Sequence, residues 1–215
     1  MAADKEGNDL SKVGIPITGK VAVQLDGDPK FLTPEEGKKT PLVMPSGYIP
    51  IGLITEDGGP AETAEGGDAI KFWQDGYTLT GSDTLKVAVK SAEMNAIVRR
   101  LITGKKPDAN GCIKIDSAHS NEKYPLFVAI EYKNSMQRRM NGMASIETVE
   151  VDQSSRGEVT GRNITFTWER EPAIGSAYYL EWWINADGTP MTEEAIPASG
   201  GGGSSTGTES DPTGM

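Results

Sequence analysis

Six short stretches of this chain alternate apolar and polar residues, and two more are almost continuously apolar. No other feature constrains the fold as tightly. A period of two sends successive side chains to opposite faces of a pleated strand, so such stretches are stable only in sheets with one face covered. Lys20 to Leu25 puts Val21, Val23 and Leu25 on one face and runs into Asp26-Gly27, a hairpin-type turn signal. Leu85 to Lys90, Cys112 to Asp116, Pro125 to Lys133, Ser145 to Val151 and Asn163 to Glu169 repeat the pattern. Tyr48 to Thr55 reads as a strand covered on both faces, and Ala177 to Ile184 as a final apolar strand that closes the domain.

One stretch departs from this period. In SAEMNAIVRRLITG, residues Met94, Ile97, Val98, Leu101 and Ile102 recur at helical spacing, which predicts an amphipathic helix over 92–103. Ser91 is its expected N-cap, with Glu93 in the first turn, and Gly104 with Pro107 beyond it marks the stop. The expected class is mainly β: two packed antiparallel sheets, a sandwich or half-barrel, flanked by one α-helix.

With 215 residues and 36% hydrophobic content, the chain can bury one substantial core. No run approaches the length a membrane helix needs, and the polar start, MAADKEGNDLSK, lacks the apolar region of a secretory signal. The expectation is a protein made in the cytoplasm and released, if at all, by lysis. Residues 1–12 read as a polar N-terminal segment, 13–185 as the domain, and 186–215 as a flexible acidic Gly/Ser-rich tail of linker composition. The PEEGKKTP stretch over 34–41 reads as an exposed loop, and Cys112, the only cysteine, as a small core residue.

Charge is concentrated. The net is −10, of which −5 falls in 186–215 and another −5 in 55–75, where six acids face Lys71 alone. The remainder is neutral. An acidic, glycine-broken segment of this kind cannot fold on its own hydrophobicity and gains order by docking. It reads as a long extended arm between strands, leaving through Ile70-Lys71-Phe72-Trp73, where alternation turns Ile70 and Phe72 to a core face and Trp73 to a neighbour. The basic pairs Arg99-Arg100 and Arg138-Arg139 are candidate partners for such an arm, because guanidinium forks suit carboxylates at interfaces.

The inventory does not favour catalysis. His119 is the only histidine, no GxSxG, Walker-type or GxGxxG motif occurs, and Asp26-Gly27-Asp28 lacks the later glutamate of an EF-hand loop. The acid pairs Glu35-Glu36 and Glu193-Glu194 sit in loops with nothing to desolvate them. The sequon at Asn163 falls within a strand. No enzyme activity, cofactor or metal is expected. A net charge of −10 also argues against a surface built to hold nucleic acid.

GLITEDGG followed by IKFWQDG, then the helix SAEMNAIVRRL and the closing YYLEWWI, resembles the major tail tube proteins of long-tailed, non-contractile bacteriophages (siphovirus type) over about residues 18–185. The resemblance implies two packed β-sheets flanked by a helix, assembled as homohexameric rings that stack into a hollow tube. It implies a virion location in the tail, after assembly in the bacterial cytoplasm. The other partners it implies are a tape measure protein in the lumen, tail terminator and tail tip proteins, and genomic DNA that passes through without specific binding. It also implies that the arm reaches a neighbouring ring, making Glu56, Asp57, Gly58, Glu65, Asp68, Lys71 and Trp73 the assembly candidates. Two alternatives stand beside it: a monomeric β-sandwich module whose acidic arm grips a protein partner, and another phage head or baseplate protein of similar fold.

Overall fold

The computed structural model describes residues 8, 10–74 and 76–192. In chain order the elements are β1 (Pro16–Gln24), α1 (Pro34–Gly37), β2 (Tyr48–Pro50), β3 (Ala61–Glu65), β4 (Ile70–Lys71), β5 (Thr78–Leu79), β6 (Thr84–Ser91), α2 (Ala96–Thr103), β7 (Lys123–Tyr132), β8 (Gln137–Val151), β9 (Arg162–Glu169) and β10 (Tyr179–Ile184). Short 3-10 turns lie at Leu10–Lys12 and Pro172–Ile174. The protein is mainly β, and its strand pairs are antiparallel.

The 15-residue β8 organises the fold. One of its edges carries β7 along Gln137 to Ser145. The other carries β10 over Gln137 to Gly142 and then β9 over Met143 to Val151. Two layers therefore diverge from one strand: β2-β1-β7-β8-β10 and β8-β9-β6-β3, eight strands in a single branched sheet. Their facing surfaces share one core. Val21 and Val23 of β1, Leu126 and Val128 of β7 and Met140 of β8 meet Val87 and Val89 of β6 and Ile164, Phe166 and Trp168 of β9. A bulge between Ile146 and Thr148 shifts the phase of β8, so that Ile146 and Val149, three apart, both pack inward.

Helix α2 adds Val98 and Leu101 to this core, both fully buried. It is shorter than the 92–103 expected. Ser91 closes β6 instead of capping, and the cap is Asn95, whose Oδ1 accepts from the Val98 amide at 2.9 Å. Residues before it are taken up in anchoring the chain that crosses from β2: the Leu53 amide donates to Glu93 at 2.8 Å, and Asn95 Nδ2 to the Ile51 carbonyl at 3.0 Å. Gly104 ends the helix as expected, at φ +66°, with its amide on the Arg100 carbonyl.

The outer face of β1, β7 and β10 is covered too. Ala22, Leu32 and Phe127 form a second cluster with Leu42, Met44, Tyr48 and Trp182 against it. The 34–41 stretch is thus no simple exposed loop. It contains α1, closed by a reciprocal Thr33–Glu36 capping box, and Gly37 is buried so closely against Trp182 that a Cβ there would lie 2.1 Å from the indole.

Three further expectations are corrected. The 48–55 strand shrinks to Tyr48–Pro50 at a sheet edge, because only Ile51 beyond it is buried and Leu53 is 69% exposed. Cys112 to Asp116 forms no strand: it alternates correctly but has no partner strand, and Cys112 is exposed. The arm is not one extended unpaired segment, since its middle is β3, hydrogen-bonded along β6. The tail beyond Thr192 and most of residues 1–12 lie outside the described residues, as does Asp75. No described helix is long and apolar enough to cross a membrane.

Candidate functional site

The arm consists of three unlike parts. The first is a tight turn over Thr55 to Gly58, laid on the end of β6: the Thr55 amide donates to the Lys90 carbonyl and the Lys90 amide to the Gly58 carbonyl, each at 3.0 Å. Lys90 sits between Asp57 at 3.3 Å and Asp152 at 2.9 Å. Hydrogen bonds from Thr55 and then Lys90 hold the Asp57 carboxyl below the usual range, while Asp152 first and Asp57 second raise the Lys90 ammonium above its own. Gly58 is required by close approach, since a Cβ would fall 2.3 Å from Lys90 Cβ. Asp57 and Gly58 thus anchor the arm, whereas Glu56 is exposed beside them.

The second part is β3, the edge strand. Glu65 pairs with Lys86 at 3.4 Å, and Lys86 with Glu147 at 2.9 Å. Glu62 reaches the facing layer, where Arg138 of β8 takes both its oxygens and also bonds Glu181 of β10. The Arg138 guanidinium also lies 5.3 Å from the Trp183 ring, itself stacked on Tyr132. Burial works to lower the Arg138 pKa, and the two carboxylates outweigh it, so the net direction is upward.

The third part leaves the domain altogether. At its neck the chain passes itself closely: a Cβ on Gly67 would lie 2.4 Å from the Gly81 carbonyl carbon, and one on Gly81 would lie 2.5 Å from the Asp68 oxygen. Beyond the neck β4 and β5 form an isolated hairpin, with Ile70 opposite Leu79 and Lys71 opposite Thr78. The Phe72 amide continues the ladder to Tyr77 at 3.2 Å, and Gly76 at φ +87° serves the turn. By this register Ile70, Phe72, Tyr77 and Leu79 share one face, and each is 52–68% exposed. Trp73 at the tip is 100% exposed. The expectation that Ile70 and Phe72 fill the subunit core is therefore overturned; neither face of the hairpin meets it. An isolated two-stranded hairpin is at best marginally stable in water, so this apolar face lacks a covering layer.

The basic candidates fare differently. Arg139 is 3% exposed and donates to the carbonyls of Gly37 and Lys39, both at 2.8 Å, pinning the α1 loop to the outer face. Burial lowers its pKa. Arg100 makes a two-point pair with Asp26, which holds that carboxyl down at about 2. With Arg138 in its triad, three of the four arginines are engaged within the chain, and Arg99 alone is exposed on α2. Asp68 and Lys71 stay on the projecting hairpin and its neck.

Sequence reasoning missed the returning half of the hairpin, Tyr77 to Leu79. The signal was present: an Asp-Gly dipeptide flanked by IKF and YTL marks a hairpin turn. It also missed Ile17 and Leu53, whose 59% and 69% exposure no local pattern foretells. No group of three or more metal-capable side chains gathers among the described residues. Comparison with protein-family models and with curated proteins finds no match for the chain.

Proposed function

We propose that this protein is a structural subunit that polymerises with itself, as hexameric rings stacked into the tube of a long, non-contractile phage tail, through which DNA is delivered. The observation that carries the proposal is the hairpin: four apolar side chains on one face and an indole at the tip, held away from a domain whose own core is complete. Such a projection is stable only when another surface covers it, and a second copy is always at hand for a self-assembling chain. The resemblance of GLITEDGG, IKFWQDG and YYLEWWI to tail tube proteins supplies the type of assembly. The charge agrees with a conduit, since a protein of net −10 has no general attraction for a polyanion in transit.

Negative-stain microscopy of the purified full chain over a range of concentrations tests this. Hollow tubes or six-fold rings are expected. Compact single particles at every concentration would overturn the reading in favour of a monomeric binding module.

A further inference from the structure

An asparagine followed by glycine is open to attack by its own main chain, because glycine has no Cβ to shield its amide nitrogen from the neighbouring carboxamide. The sequence holds two such pairs, Asn110-Gly111 and Asn141-Gly142, and the fold puts them in opposite settings. Asn141 is fully buried in β8. Its Oδ1 accepts from the Leu32 amide at 2.7 Å, and its Nδ2 donates to the Tyr48 hydroxyl at 2.8 Å and the Leu126 carbonyl at 2.9 Å. Gly142 lies between two strands, opposite Leu126 of β7 and Tyr179 of β10. Neither the carboxamide nor the glycine nitrogen is free to turn toward the other.

Asn110-Gly111 lies in the loop between α2 and β7. Both residues are exposed, and the Asn110 carboxamide has no hydrogen-bond partner among the described residues. Gly111 sits at φ +76°, and a Cβ there would meet nothing within 4 Å, so the space that a new ring needs is empty. What holds the nitrogen back is a tight turn from Asp108 to Cys112. The Gly111 amide donates to the Asp108 carbonyl and the Asp108 amide to the Cys112 carbonyl, each at 2.9 Å. Asp108 Oδ1 accepts from the main-chain amides of Asn110 at 2.9 Å and Cys112 at 2.8 Å. These bonds are all at the surface, so they open by local fluctuation that leaves the core intact.

We infer that Asn110 is a site of spontaneous covalent modification, with water as the only co-reactant, and that the Asp108 turn sets its rate. When the turn opens, the Gly111 nitrogen bonds to Asn110 Cγ. The bond from Cγ to the side-chain nitrogen breaks, and that nitrogen leaves as ammonia with the proton that the Gly111 amide gives up. Water then adds across one carbonyl–nitrogen bond of the cyclic imide. Cleavage at Cγ yields aspartate, whereas cleavage at the main-chain carbonyl yields isoaspartate, whose backbone is longer by a carbon. Nothing is oxidised or reduced. Either product adds a negative charge to the loop, and the longer backbone of the second breaks the Asp108–Cys112 pairing. The inference is independent of the assembly reading above.

The test holds the full chain at mildly alkaline pH, digests it under mildly acidic conditions and maps the peptides by mass spectrometry. Isoaspartate is assayed by methylation with an isoaspartyl methyltransferase and S-adenosylmethionine. Asn110 is expected to convert, faster as hydroxide increases, while Asn141 stays an amide. Gly111→Ala should slow conversion at least about tenfold, because a methyl group then shields the nitrogen. Asp108→Ala removes two bonds of the turn and should speed conversion about tenfold. Asp108→Asn keeps an oxygen able to accept both bonds and should stay near wild type. All these positions are exposed, away from the core. An Asn110 that remains an amide while the free peptide DANGC converts would overturn the inference. Equal conversion at Asn110 and Asn141 would overturn it too, since the fold would then select neither. An unchanged rate in Asp108→Ala would overturn the role of the turn.

Discussion

Arg138 in one layer of the sandwich is clamped to Glu62 in the other, its Nη2 2.9 Å from Glu62 Oε2. The pair joins the middle of the arm to the organising strand, and Glu181 on the other side of the guanidinium completes a triad with side chains 18–35% exposed. Arg138→Met would leave two carboxylates facing each other in a half-dry setting. We expect a loss of about 1–3 kcal/mol, between the values for exposed and for buried pairs. Urea denaturation of the monomer measures it, and an unchanged midpoint would mean the triad contributes nothing.

Trp73→Ala should leave the monomer's melting temperature where it is, because the side chain touches nothing in its own subunit. Assembly should suffer by about 2 kcal/mol or more per contact, as expected for an aromatic anchor. Calorimetry of the monomer beside microscopy of concentrated material separates the effects; a markedly lower melting temperature would place the indole in the fold.

Two adjacent glycines form an internal control. At Gly58 an added methyl meets Lys90 Cβ and Thr55 Oγ1 at 2.3 Å, while at Gly59 nothing lies within 4 Å. Gly58→Ala should therefore destabilise the monomer by about 1–3 kcal/mol, and Gly59→Ala should be neutral or slightly favourable. Equal effects at both positions would contradict the anchored turn.

Asp26 should titrate at about 2, well under the ordinary 3.8, because Arg100 donates to both its oxygens. A folded-state value below the unfolded one stabilises the fold above pH 3.8 and ceases to do so as the pH falls through about 2. The stability difference between wild type and Arg100→Ala should thus shrink across that window. Carboxyl NMR should find the Asp26 midpoint raised toward the ordinary value in the variant.

Hydrogen exchange should divide the arm. Amides of β3 that pair with β6 should be slow already in the monomer, whereas those of Ile70 to Leu79 should exchange fast and slow down only on assembly. Uniformly fast exchange over Ala61 to Glu65 would restore a fully extended arm.

What the sequence determined by itself was local and periodic. Alternation located β6, β7 and β9 to within two residues, because a strand with one buried face must carry that pattern. The αL stop at Gly104 was equally legible, since a left-handed residue there needs no partner elsewhere. Tertiary structure decided the rest. β8 begins eight residues earlier than its pattern, because Arg139 and Asn141 are polar yet buried on the outer face, satisfied by Gly37, Lys39 and the Leu32 amide some hundred positions away. Cys112 to Asp116 has the right period and no strand to pair with, so it stays a loop. The hairpin turn was signalled by Asp75-Gly76, but that its apolar face stays uncovered is legible only in three dimensions. A period of two says which residues share a face, and only packing says whether that face finds a cover inside the chain or is left for another copy.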